Sequence, residues 1–118
     1  MNNRFRVVFI DDKRVNYEVM EAILRRSGCE IFWESNGHDG IKKIEEICPE
    51  IILLDIDLPD MGGFEICQVI KNKPTISEIP IIFMSGYVEE EFIEKGFLVG
   101  GADYISKPFK RREVVARI

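Results

Sequence analysis

Ile52-Leu53-Leu54-Asp55-Ile56-Asp57-Leu58-Pro59-Asp60-Met61-Gly62-Gly63-Phe64-Glu65 passes from an apolar run to acids, to a Pro-Gly loop, to the start of an amphipathic stretch. The run over Glu50–Leu54 is apolar almost throughout, as in a strand covered on both faces, and Asp55 ends it. Phe64, Cys67 and Ile70 then fall at helical spacing. The stretch therefore predicts strand, loop, helix, with carboxylates at the strand's end.

The same alternation runs outward in both directions. Phe5–Ile10 reads as a strand ending at Asp11, and Arg14–Ser27 as a helix with Val15, Val19, Ala22 and Ile23 on one face and Gly28 as its left-handed stop. Glu30–Ser35 alternates weakly as a second strand. A helix follows, carrying Ile41, Ile44 and Ile47 on one face, and Pro49 halts it. Beyond the quoted stretch, Ile79–Met84 is a fourth strand, Glu89–Phe97 a fourth helix, Ala102–Ile105 a fifth strand and Arg111–Ile118 a fifth helix. Five strand-helix units predict an α/β fold with a parallel sheet wound on both sides. No repeat or linker divides residues 1–118, so one domain is expected. Val114, Val115 and Ile118 set up an apolar face just as the chain stops, and the fifth helix is expected to continue beyond 118.

Composition narrows the function classes. With 16 Lys+Arg against 21 Asp+Glu the net charge is −5, which disfavours nucleic acid, whose phosphates need a cationic surplus. No apolar run approaches the roughly 20 residues of a membrane span, and the N-terminus lacks signal-peptide form. Cys29, Cys48 and Cys67 are widely spaced, so free thiols in a cytoplasmic protein are expected.

Chemistry gathers at the strand ends, where open α/β sheets bind ligands. Asp11 and Asp12 follow the first strand; Asp55 and Asp57 follow the third. On neighbouring strands about 4.8 Å apart, such carboxylates repel one another and resist ionising together. A hard divalent cation relieves this: Mg²⁺ takes about six oxygen ligands and keeps several waters, leaving one carboxylate oxygen spare. Helix capping is the simpler alternative for a single acid such as Asp12, but it does not explain the pair plus Asp55. Ser85-Gly86 ends the fourth strand. Ser106-Lys107-Pro108-Phe109 follows the fifth and brings a cation to the same edge.

Four pieces of the chain, VFIDD at Val8–Asp12, ILLDIDLPDMGGFE at Ile52–Glu65, IIFMSG at Ile81–Gly86 and GADYISKPF at Gly101–Phe109, resemble the receiver domain of two-component response regulators. The resemblance covers essentially the whole chain. It implies a flavodoxin-like (βα)5 fold with strand order 2-1-3-4-5. It implies Asp55 as phosphoacceptor from a partner kinase's phosphohistidine. Asp11, Asp12, Asp55 and the Asp57 backbone carbonyl would be Mg²⁺ ligands, with Asp11 acting chiefly through water. Ser85 and Lys107 would contact the phosphoryl group, Tyr104 would be the aromatic switch, and Lys107-Pro108 would be a cis peptide. A histidine kinase or histidine phosphotransfer protein is the implied partner, and the surface of the fourth helix, fifth strand and fifth helix is the one through which a homodimer would form. Asn16 and the ending EVVARI resemble receivers of hybrid histidine kinases or of regulators with cyclic-dinucleotide output.

Departures from the family pattern are local. A carboxylate at Asp57 stands where an apolar residue or amide is common, and is expected to alter phosphoryl lifetime or tighten Mg²⁺ binding. Gly62 stands where a polar residue is frequent and Gly86 where alanine is, and Lys13-Arg14-Val15 lacks a proline. Two other readings stay open: a phosphorylation-independent interaction domain of this fold, and a haloacid-dehalogenase-like phosphatase using Asp55 and Asp57. A purely structural flavodoxin-like or nucleotide-binding module is disfavoured because no GxGxxG or phosphate-cradling glycine loop follows the first strand. His38, early in the second helix, is expected to be exposed without a role, and Trp33 to face the core or lie partly exposed, with no cofactor implied.

Overall fold

The computed structural model describes residues 5–86 and 90–118, with side chains described outside residues 90–92. Strands and helices alternate throughout: β1 (Phe5–Ile10), α1 (Arg14–Arg25), β2 (Cys29–Glu34), α2 (Gly37–Ile47), β3 (Ile51–Asp55), α3 (Gly63–Lys71), β4 (Ile81–Ser85), α4 (Glu90–Leu98), β5 (Asp103–Ser106) and α5 (Arg111–Arg117). All strand pairs are parallel, in the order β2-β1-β3-β4-β5. This is the flavodoxin-like arrangement expected above. No helix among the described residues is long and apolar enough to cross a membrane.

Burial follows the order of the sheet. Every residue of the inner strands β3 and β4 is buried, whereas the edge strand β2 is only half-buried. The two-residue period of a strand divides the core. Val8, Ile10, Ile52, Leu54, Ile81 and Phe83 face α2 and α3, where they meet Ile44, Phe64, Ile66, Cys67 and Ile70. Val7, Phe9, Leu53, Ile82, Met84 and Ile105 face the other way, onto Met20 and Leu24 of α1 and Val114 of α5.

Helix ends show where local chemistry differed from expectation. The first helix stops at Arg25, two residues early, and Gly28 sits in the following turn at φ +77°. Its N-cap is Lys13, with no side-chain cap bond, so Asp12 does not cap it. Pro49 does end α2, but through Cys48, which takes a left-handed φ of 45°; the residue before proline is driven out of the helical region. The fourth strand begins at Ile81, after Pro80, because the proline nitrogen has no hydrogen for the ladder. The expected α4 start at Glu89 lies outside the described residues.

Two adjacent glycines open α3, and only one is forced by space. A Cβ on Gly63 would lie 2.5 Å from the Asp55 carbonyl oxygen and 2.7 Å from the Ile56 Cα, both immovable backbone. Gly63 N–H donates to the Ile56 carbonyl at 2.8 Å, so the helix start is pressed onto the end of β3. At Gly62, with φ −67°, a Cβ would meet only Glu65 Oε1 at 3.7 Å. Gly63→Ala is expected to lower stability by about 1–3 kcal/mol, and Gly62→Ala to change it by less than about 1 kcal/mol. Urea unfolding of the two variants checks this; equal midpoints would refute it.

Candidate functional site

Strand register assembles the site. Ile10 pairs with Leu54 and Asp55 with Met84, so Asp11 stands alongside Asp55 and Ser85 falls one residue past the pairing on the next strand. Ser85 in turn pairs with Ser106, and the Lys107 N–H donates to the Ser85 carbonyl at 2.8 Å. Lys107 thus leaves β5 at the edge where the acids sit. The Lys107-Pro108 peptide is cis.

Among the described residues, Asp11, Asp55 and Ser85 are the buried polar ones, at 0%, 3% and 2% exposure, while Asp12 is exposed. One oxygen from each of Asp11, Asp12 and Asp55 lies within 4.8 Å of the others. Lys107 Nζ bridges the buried pair, 3.1 Å from Asp11 Oδ2 and 3.2 Å from Asp55 Oδ2. The other Asp55 oxygen accepts the Asp57 N–H at 3.2 Å.

The Asp11 carboxylate is held on every side. Its Oδ1 accepts the Lys13 N–H at 2.9 Å, and the Asn16 amide spans both oxygens at 3.2 and 3.1 Å. Trp33 Nε1–H donates to the Asp11 carbonyl at 2.7 Å. Sequence reasoning assigned no contact to Asn16 or Trp33. Asn16, on the first turn of a helix that follows paired acids, carried a signal of position alone. Trp33 carried none. Asp60 was also missed: it accepts the Gly37 and His38 N–H groups at 2.9 and 3.1 Å, tying the loop after β3 to the start of α2. His38 itself is exposed.

Electrostatics explain why a cation belongs here. Burial pushes the Asp55 carboxyl up to about 6, the Lys107 charge pulls against that, and the Asp11 charge adds to it. Burial pulls the Lys107 ammonium down, but the charges of Asp55 and Asp11 outweigh burial and its pKa is raised. One ammonium cannot neutralise three carboxylates, and three hard oxygens this close match the donor set of a small divalent ion that keeps part of its water shell. Tyr104 lies half-buried on β5, its ring 5.8 Å from that of Phe83. Its phenol is pushed up to about 12 by burial and, to a lesser degree, by the Asp57 charge. Asp57 is exposed, and only its backbone N–H touches the Asp55 carboxylate.

The family model of the response regulator receiver domain matches residues 7–118. The chain belongs to that family. Among solved structures, this receiver domain is 27% identical to a two-component response regulator from Clostridium difficile, with a TM-score of 0.89 over 97% of this chain and 92% of that one. It is equally 27% identical to the receiver domain of a sensor histidine kinase from Pseudomonas aeruginosa, with a TM-score of 0.88 over 97% and 93% of the two chains; that structure has a magnesium ion coordinated in its active-site cleft. The chemotaxis response regulator CheY4 of Vibrio cholerae shares the fold at 21% identity, with a TM-score of 0.91 over 98% and 96%. The chain is a phosphoacceptor receiver domain of two-component signalling, and its aspartate cluster is compatible with a Mg²⁺ site.

The folded metal-free receiver holds the Asp55 proton to higher pH than the unfolded chain does. The contribution to stability is therefore fully present below about pH 4 and lost as pH rises to about 6. Asp55→Asn, which cannot ionise, is expected to be more stable than the parent at pH 7.5 by about 1–3 kcal/mol, with the gain shrinking toward pH 4.5. Urea unfolding in chelator at both pH values checks this, and a gain independent of pH would refute it.

Proposed function

We propose that Asp55 is the residue phosphorylated, by a histidine kinase or a histidine phosphotransfer protein, and that Asp11, Asp12 and Asp55 with the Asp57 backbone carbonyl hold the Mg²⁺ on which the transfer depends. The observation that carries this reading is the bridge from Lys107 to both Asp11 and Asp55. It joins a buried nucleophilic carboxylate to a mobile cation and a second acid at one sheet edge.

A carboxylate oxygen of Asp55 attacks phosphorus, the bond from phosphorus to the imidazole nitrogen breaks, and the imidazole leaves with the electron pair. Lys107 then follows the negative charge onto the phosphoryl oxygens, where an ammonium acts as a point charge. The ion that Asp11, Asp12 and Asp55 would hold would supply further charge neutralisation for the transfer. Asn16 and the Lys13 N–H keep Asp11 aligned throughout. Ser85, one strand over and almost fully buried, is suited to donate its hydroxyl to the phosphoryl group, and Tyr104, next to the Phe83 ring, is suited to register that change. Small acyl phosphates serve as alternative donors, and the receiver slowly hydrolyses its own aspartyl phosphate. Exposed Phe97 and Leu98 on α4 support the further reading that two copies pair through α4, β5 and α5.

Incubation with acetyl phosphate and Mg²⁺ is expected to give one phosphoryl adduct by intact-mass spectrometry, abolished in Asp55→Asn and by chelation. Absence of an adduct would support a phosphorylation-independent module, and continuous turnover of an aryl phosphate would support a phosphatase. Because Asp57 is exposed, its charge contributes modestly to cation binding. Asp57→Asn is expected to weaken Mg²⁺ about two- to fivefold by calorimetry and to alter the dephosphorylation rate; parental values of both would refute a role for this carboxylate.

A further inference from the structure

Trp33 is the single tryptophan of the chain and lies on the edge strand, far from the reacting groups in sequence. Its indole stacks on the Tyr17 ring of α1, with centroids 5.0 Å apart and planes 8° from parallel. Its Nε1–H reaches the Asp11 carbonyl at 2.7 Å, and the Asp11 N–H donates to the Glu34 carbonyl at 3.2 Å. Both backbone polar groups of Asp11 are thus tied to β2, one by the ladder and one by a side chain that replaces the ladder where β1 ends.

The carbonyl that the indole grips belongs to the peptide unit joining Asp11 to Asp12. A peptide unit is planar, so fixing its oxygen fixes the plane and with it the Cα of Asp12. Asp12 is the one exposed member of the carboxylate cluster, and among the described residues none holds its carboxylate as Lys13, Asn16 and Lys107 hold that of Asp11. We propose that Trp33 is a positioning residue for the cation site: clamped by Tyr17, its indole N–H sets the plane of the Asp11–Asp12 peptide and so aims Asp12 at Asp55. This rests on the reading that Asp11, Asp12 and Asp55 hold Mg²⁺. A tryptophan that merely satisfied a carbonyl would have no effect on cation affinity.

Two measurements on the whole domain test it. In ¹⁵N-labelled protein the lone indole N–H cross-peak is expected to move on addition of MgCl₂, with the midpoint that calorimetry gives for binding. Trp33→Phe keeps a ring for Tyr17 and removes the donor; it is expected to weaken Mg²⁺ binding about tenfold, the low end for partners that orient metal ligands, under conditions where circular dichroism shows it folded. Unchanged affinity in Trp33→Phe, or a static cross-peak while the parent binds Mg²⁺, would overturn the inference and leave the cation site standing. A parent that binds no Mg²⁺ would overturn both. Should Trp33→Phe fail to fold, the cross-peak titration of the parent decides alone.

Discussion

Two carboxylates buried beside each other are tolerable only when something cationic is within reach, and in this protein that something is the ammonium of Lys107. An unpaired buried charge costs several kcal/mol, and the 3.1 and 3.2 Å contacts to Asp11 and Asp55 reduce that cost for both at once. The compensation is incomplete. Asp55 is still pushed up to about 6 by burial, so the protein keeps a carboxyl that is costly to ionise at the end of its middle strand. Sites of this kind trade stability for function, and the rest of the fold is arranged around maintaining the trade.

The arrangement is visible in the backbone. Register across β1, β3 and β4 brings Asp11, Asp55 and Ser85 to one edge, and the ladder from Ser85 to Lys107 brings the cation to meet them. Gly63 lets α3 start hard against the Asp55 carbonyl, which a side chain would prevent. Asp60 ties the loop between them to α2. The central acid is therefore framed by strands beneath and by a loop fastened at both ends.

Much of this was legible in the residues alone. The inner strands declared themselves because they are apolar without interruption, and of the acids directly after them Asp11 and Asp55 are buried, whereas Asp12 and Asp57 are exposed. The order β2-β1-β3-β4-β5 came from family resemblance, since hydrophobic period does not say which strands are neighbours. Element ends were less legible. Arg25-Arg26-Ser27 continues a helical pattern that the backbone abandons for a turn, and Pro49 announces a stop without revealing the left-handed Cys48 before it. Least legible were contacts between side chains and distant backbone. Trp33 to Asp11 and Asp60 to Gly37 span 22 and 23 residues, and nothing in local spacing encodes them. Asn16 lies between these extremes: its place near the paired acids was noticed, but not its grip on both oxygens of Asp11.

The lysine's place in the sheet has one more consequence. Asp55 sits on the middle strand, whereas Lys107 is carried by the segment leaving β5, the outermost strand on that side. Adjacent strands are about 4.8 Å apart, so one flexible side chain spans the width from the molecule's centre to its rim. Lys107 is thereby a direct side-chain link between the charge at the centre of the sheet and its rim.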